Sequence, residues 1–157
     1  MIKRSKPLKV SNMKGFGAQH KKKKDRDKET KHSKEKIINQ AFKFHSQGNI
    51  PEATKYYQHF INQGFKDHRV FSNYGVILQN HGQLKEAELS TRKAIDMDPY
   101  QANAHNNLGL ILKDLGKLQD AELSYRKAIE LKPNYAQTHF NLGVILIDLG
   151  KLKEAEL

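Results

Sequence analysis

The chain has 157 residues, 37% hydrophobic and 8% aromatic, no Cys, no Trp and a formal charge of +11. That composition excludes a disulfide framework, a thiolate metal site and a cysteine nucleophile. No apolar run approaches the roughly 18 residues of a membrane span. The start, Met1-Ile2-Lys3-Arg4-Ser5-Lys6-Pro7, lacks the apolar stretch of a signal peptide, so a cytoplasmic protein is expected.

Residues 1–36 hold 14 Lys or Arg against four acids, whereas the other 121 carry 14 basic and 13 acidic groups. From Met1 to His32 the apolar residues are few (Ile2, Leu8, Val10, Phe16), and Lys21, Lys22, Lys23 and Lys24 form a block of like charge. Such a stretch buries too little apolar surface to offset its chain entropy, so residues 1–33 are expected to be a disordered, lysine-rich arm. An arm of this kind makes weak, non-specific contact with polyanions. Base readout needs interleaved aromatics, and Phe16 stands alone there. Met13 offers a second start of translation.

From Lys34 onward the chain repeats itself every 34 residues. Residues 68–101 and 102–135 are identical at 15 of 34 positions, and 102–123 match 136–157 at 15 of 22. A more diverged copy occupies 34–67. The array is therefore 34–67, 68–101, 102–135 and a partial 136–157. Small residues recur at position 8 (Ala41, Gly75, Gly109, Gly143) and position 20 (Ala53, Ala87, Ala121, Ala155), which lets two helices approach closely. Position 15 is always glycine (Gly48, Gly82, Gly116, Gly150), the residue suited to the left-handed turn that closes a first helix. Leu108, Leu112 and Leu115 keep helical spacing, and Pro99 and Pro133 at position 32 stop a second helix. The expected fold is all-α, an α-solenoid of antiparallel helix pairs.

With Leu108, Gly109, Leu112, Ala121, Tyr125, Ala128 and Pro133 in register, the chain resembles tetratricopeptide repeat (TPR) arrays. The resemblance covers residues 34–157 and implies a right-handed superhelix that binds proteins or extended peptides on its inner wall. Segments such as KEAELSTRKAI are also similar to TPR proteins of marine picocyanobacteria. The first repeat departs from the pattern, with Ile37 at position 4, Gln40 at position 7, Phe60 at position 27 and Phe65 in place of proline. Leu157 is position 22 of its repeat, inside a second helix, so a longer parent chain is expected.

No catalytic constellation, cofactor motif or metal-ligand spacing is present, and neither an enzyme activity nor a cofactor is expected of this chain. His105 and His139 fall one repeat apart, roughly 10 Å given the width of a helix, and are read as position 4 packing residues. Glu88 with Arg92 and Glu122 with Arg126 are helix-supporting pairs.

The candidate site is position 6, asparagine in every repeat: Asn39, Asn73, Asn107 and Asn141. Asparagine is a mediocre helix former, so local propensity does not ask for it. The resemblance places first helices on the inner wall, where the four carboxamides would form a ladder for an extended backbone, similar to that in the TPR arm of O-linked N-acetylglucosamine transferases. The alternative is that each asparagine bonds a neighbouring helix and sets stacking. Position 9, where chaperone-tail-binding TPR domains carry clamp residues, is Phe42, Val76, Leu110 and Val144, so the wall is expected to suit apolar side chains. Two functions follow: an interaction scaffold, or the TPR segment of a larger glycosyltransferase or sulfotransferase.

Overall fold

A computed structural model describes residues 15–150, with side-chain surroundings from residue 30 onward. Among the described residues there are seven helices and no strand: α1 (Gly15–Ser46), α2 (Ile50–Asn62), α3 (His68–Asn80), α4 (Leu84–Met97), α5 (Ala102–Asp114), α6 (Leu118–Leu131) and α7 (Ala136–Asp148). The chain separates into two units, Met1–Lys36 and Ile37–Leu157. The packing described below lies in the second.

Helical backbone begins at Gly15. Lys, Arg, Glu and Gln are strong helix formers, and neither proline nor glycine interrupts the run from Ala18 to Gln47. Residues 1–14 lie outside the described ones, as do Leu152, Ala155 and Leu157 of the partial repeat.

The position 15 glycines stand at φ between 71° and 74°. After α3, Gly82 N–H donates to the Gln79 carbonyl (2.8 Å) and Gln83 N–H to the Leu78 carbonyl (2.9 Å), and Gly116 with Lys117 repeats this after α5. These two bonds satisfy carbonyls that the helix end leaves bare. Second helices end differently. α4 and α6 stop into extended residues, Asp98 and Lys132, just ahead of Pro99 and Pro133. α2 has no proline there and turns through Gly64 at φ 72° instead, with Phe65 folded back against Phe60 at 5.4 Å between ring centroids.

In the first and third repeats a large residue at position 24 shares the core with the small residue at position 8 or packs on it. In the first, fully buried Tyr57 shares a core with Ala41, Ala53, Phe60, Val70 and Ile77. In the third, fully buried Tyr125 packs with Leu108, Leu112, Ala121, Leu142, Ile145 and Leu146. Each such side chain contributes about 1.5–3 kcal/mol by leaving water. The approach is so close that a Cβ on Gly109 would stand 2.5 Å from the Tyr125 ring. In the second repeat position 24 is Thr91, fully buried against Gly75.

Between repeats the joints are polar as well as apolar. Gln58 Nε2 donates to the Tyr74 hydroxyl at 3.0 Å, and Gln79 Nε2 to Asp114 Oδ2 at 2.6 Å. Glu88, paired with Arg92 on its own helix as expected, also takes Lys117 from the next repeat at 2.7 Å. Lys117, the larger influence, and Arg92 hold the Glu88 carboxyl below its ordinary value.

The Tyr125 hydroxyl and the Thr91 Oγ1 are buried without a hydrogen-bond partner. Burial pushes the Tyr125 hydroxyl pKa well above its usual value. Removing that orphan group is expected to be neutral or stabilising, whereas Gly109→Ala is expected to cost about 1–3 kcal/mol by forcing the ring and α5 apart. Urea unfolding of Tyr125→Phe and Gly109→Ala beside the parent chain measures both signs.

Candidate functional site

The four position 6 asparagines do not share one environment. Asn39 is exposed, Asn73 and Asn107 are half-buried, and Asn141 is 9% exposed. Three of them donate to the repeat before. Asn73 Nδ2 reaches the Tyr57 hydroxyl (3.3 Å), Asn107 Nδ2 the Ser72 Oγ (3.4 Å), and Asn141 Nδ2 the Asn106 Oδ1 (3.2 Å). Asn106 Oδ1 also accepts from Thr138 Oγ1 at 3.0 Å, and Gln137 Nε2 donates to Asn141 Oδ1 at 3.1 Å. Both ends of the Asn141 carboxamide are thus used inside the protein.

Asn73 and Asn107 meet in one cavity of about 500 Å³, formed by α1, α3, α5 and the turn before α7. Phe42 lines it with them, and Asn39, Asn141, Val76, Leu110 and Val144 do not. The last three are half-buried, and Leu110 packs against the core of the third repeat. Residues without a repeat signature complete the wall: Arg69, Gln101, Asn103 and Tyr135. Arg69 forms a two-pronged pair with Asp67 (3.0 and 2.9 Å), and its guanidinium lies 5.2 Å from the Phe42 ring centre. The Arg69 pair outweighs burial and keeps the Asp67 carboxyl below its ordinary pKa. Sequence reasoning passed over these residues because position 2 and the turns vary from repeat to repeat. The cue available was polar residues one turn from an asparagine, as Arg69 is from Asn73 and Asn103 is from Asn107.

Behind Asn73 runs a chain of hydrogen bonds. The carboxamide donates to the Tyr57 oxygen, and the Tyr57 hydroxyl lies 2.8 Å from His45 Nδ1. The Tyr57 hydroxyl can donate its proton to the imidazole, which must be neutral at Nδ1 to accept it. Burial pulls the His45 pKa down, consistent with that state.

His105 and His139 turn out to be clips rather than packing residues. Nε2 of each donates to the carbonyl of the preceding position 32 proline, His105 to Pro99 at 2.9 Å and His139 to Pro133 at 2.7 Å. An imidazole can reach a turn carbonyl that the family's larger aromatic only covers. Among the described residues no group of three or more His, Cys, Asp or Glu is placed to hold a metal ion, and no helix is long and apolar enough to cross a membrane.

Tetratricopeptide repeat family models match residues 68–101, 102–135 and 124–156. No curated protein matches the chain. Among solved structures, MamA 41-end from Desulfovibrio magneticus RS-1 is similar at TM-score 0.71 and 20% identity, over 78% of this chain and 70% of that one. The first TPR of Spaghetti (RPAP3), solved bound to an HSP90 peptide, is similar at TM-score 0.69 and 20% identity, over 74% and 93%. The Thermobaculum terrenum O-GlcNAc transferase is similar at TM-score 0.67 and 23% identity, with 73% of this chain lying on 22% of that one.

The depressed His45 pKa has a definite consequence for stability. The unfolded chain binds a proton at His45 near the ordinary value of 6.5, and the folded chain binds it only at lower pH. The contribution is therefore complete above pH 6.5 and is lost as the pH falls through the folded pKa. His45→Gln is expected to remove that part of the dependence, read as a smaller drop in melting temperature between pH 7.5 and pH 5.5.

Proposed function

Because the chain belongs to the tetratricopeptide repeat family, we propose that it is an interaction scaffold whose first helices present a concave surface for an extended protein segment. The observation that carries this reading is the cavity shared by three repeats, in which Asn73 and Asn107 spend their N–H groups on the repeat behind. Among the described residues no protein donor is paired with the Oδ1 of either. Two acceptors one repeat apart, with Phe42 and Tyr135 beside them, suit the N–H groups of an extended backbone and an apolar side chain. Stacking and recognition thus fall to opposite ends of the same carboxamide. The peptide in the RPAP3 structure supports the reading at the level of the fold.

Asn39 and Asn141 take lesser parts, the first as an exposed extension of the row and the second as a stacking residue. Val76, Leu110 and Val144 support the wall from beneath. The lysine-rich segment adds polyanion contact that weakens steeply with salt. A second reading, the TPR segment of a larger glycosyltransferase or sulfotransferase, has behind it the likeness to O-GlcNAc transferase. Coding sequence beyond the codon for Leu157 separates the two.

Peptides selected from a displayed random library supply the ligand for a direct test. Asn73→Ala with Asn107→Ala is expected to weaken a selected peptide about tenfold or more, at about 1 kcal/mol per hydrogen bond lost. Tyr57→Phe removes the partner of the Asn73 N–H but leaves its carbonyl in the cavity, so affinity is expected to stay within about twofold. Equal loss in both proteins would assign the asparagines to stacking alone.

A further inference from the structure

A second cavity, sharing no lining residue with the first, lies where α2, the following turn, α3 and the end of α4 converge. The joint between the first two repeats lacks the clip present at the next two. There, a position 4 histidine binds the carbonyl of a position 32 proline. Here position 4 is Phe71 and position 32 is Phe65, neither of which has a side-chain donor. Phe65 leans on Phe60 instead, and the Phe71 carbonyl is taken by Ser90 Oγ at 2.8 Å.

The space left is about 490 Å³, within the range of ligand pockets and enough for a large side chain with its neighbours. Ile61, Phe65, Phe71 and Met97 give it an apolar floor, and Met97 is 37% exposed. Lys66, Lys93 and Asp96 line it too. Lys93 is exposed, with its ammonium 5.9 Å from the Phe71 ring centre. The corresponding cavity at the next joint is smaller, about 340 Å³, with His105 among its lining residues.

We propose that this cavity is a second recognition site, which takes a large apolar side chain from an acidic peptide segment. The side chain enters among Ile61, Phe65 and Met97, and a carboxylate next to it in the peptide pairs with Lys93. Asp96 accepts an N–H from the peptide backbone, a group that a fatty acid or other simple anionic amphiphile does not supply. Phe65 at position 32, where the next two repeats carry proline, is particular to this joint.

The chain has no tryptophan, so the indole of a short blocked peptide, one tryptophan flanked by glutamates, is the only one in a binding mixture. Titrated with the full chain at physiological salt, the probe is expected to show a saturable blue shift of emission, which charge contact with the lysine-rich segment does not produce. Lys93→Glu is expected to weaken binding about tenfold, and Met97→Glu at least as much, both at unchanged melting temperature. Asn107→Ala is expected to leave the probe's affinity unchanged, which keeps this site separate from the one proposed above. An unshifted emission, or equal affinity in Lys93→Glu and the parent, overturns the proposal. So does equal binding of the same peptide with lysines in place of its glutamates.

Discussion

A tyrosine ring resting on a residue with no side chain sets how closely the two helices of the third repeat approach. Where Tyr125 lies against Gly109, the two helices of the third repeat are drawn closer than any Cβ would allow. The other repeats keep the distance by different pairings, Tyr57 over Ala41 and Thr91 over Gly75. The 34-residue period brings equivalent positions back at a constant offset in the chain. The inter-repeat bonds depend on that offset: a hydrogen bond tolerates only a few tenths of an ångström, and buried polar groups that miss their partners are costly.

The joints use this regularity to carry polarity at half-buried depth. Asn73, Asn107 and Asn141 reach backward, Gln79 reaches forward to Asp114, and Glu88 gathers cations from two repeats. Apolar contact supplies most of the energy of stacking, but apolar surfaces slide. Directional bonds hold the register, and a groove assembled from three repeats requires that its parts keep fixed separations.

Much of this was legible in the residues. The 34-residue period, the small residues at positions 8 and 20, and the glycines at position 15 each answer to one local demand, close approach or a left-handed turn. The roles of His105 and His139 were missed because a turn carbonyl leaves no mark on the sequence. Treating the four asparagines alike overlooked the ends of the row. Asn39 has no earlier repeat to bind in the array, and Asn141 is clasped by Gln137 and Asn106, residues whose importance lies in their neighbours rather than their period. The cavity residues Arg69, Gln101, Asn103 and Tyr135 are brought together by stacking, which no single repeat encodes.

The backward-reaching asparagine also bears on how such a chain can change length. The same N–H group is satisfied by a phenol, an alcohol and a carboxamide, three unlike acceptors in successive repeats. Position 13, which receives Gln79 at one joint, is aspartate again at Asp148. Excision of residues 102–135 would bring Gln79 opposite Asp148 and Asn141 opposite Ser72, so neither donor would be stranded. A gene built this way can lose that repeat and keep those bonds.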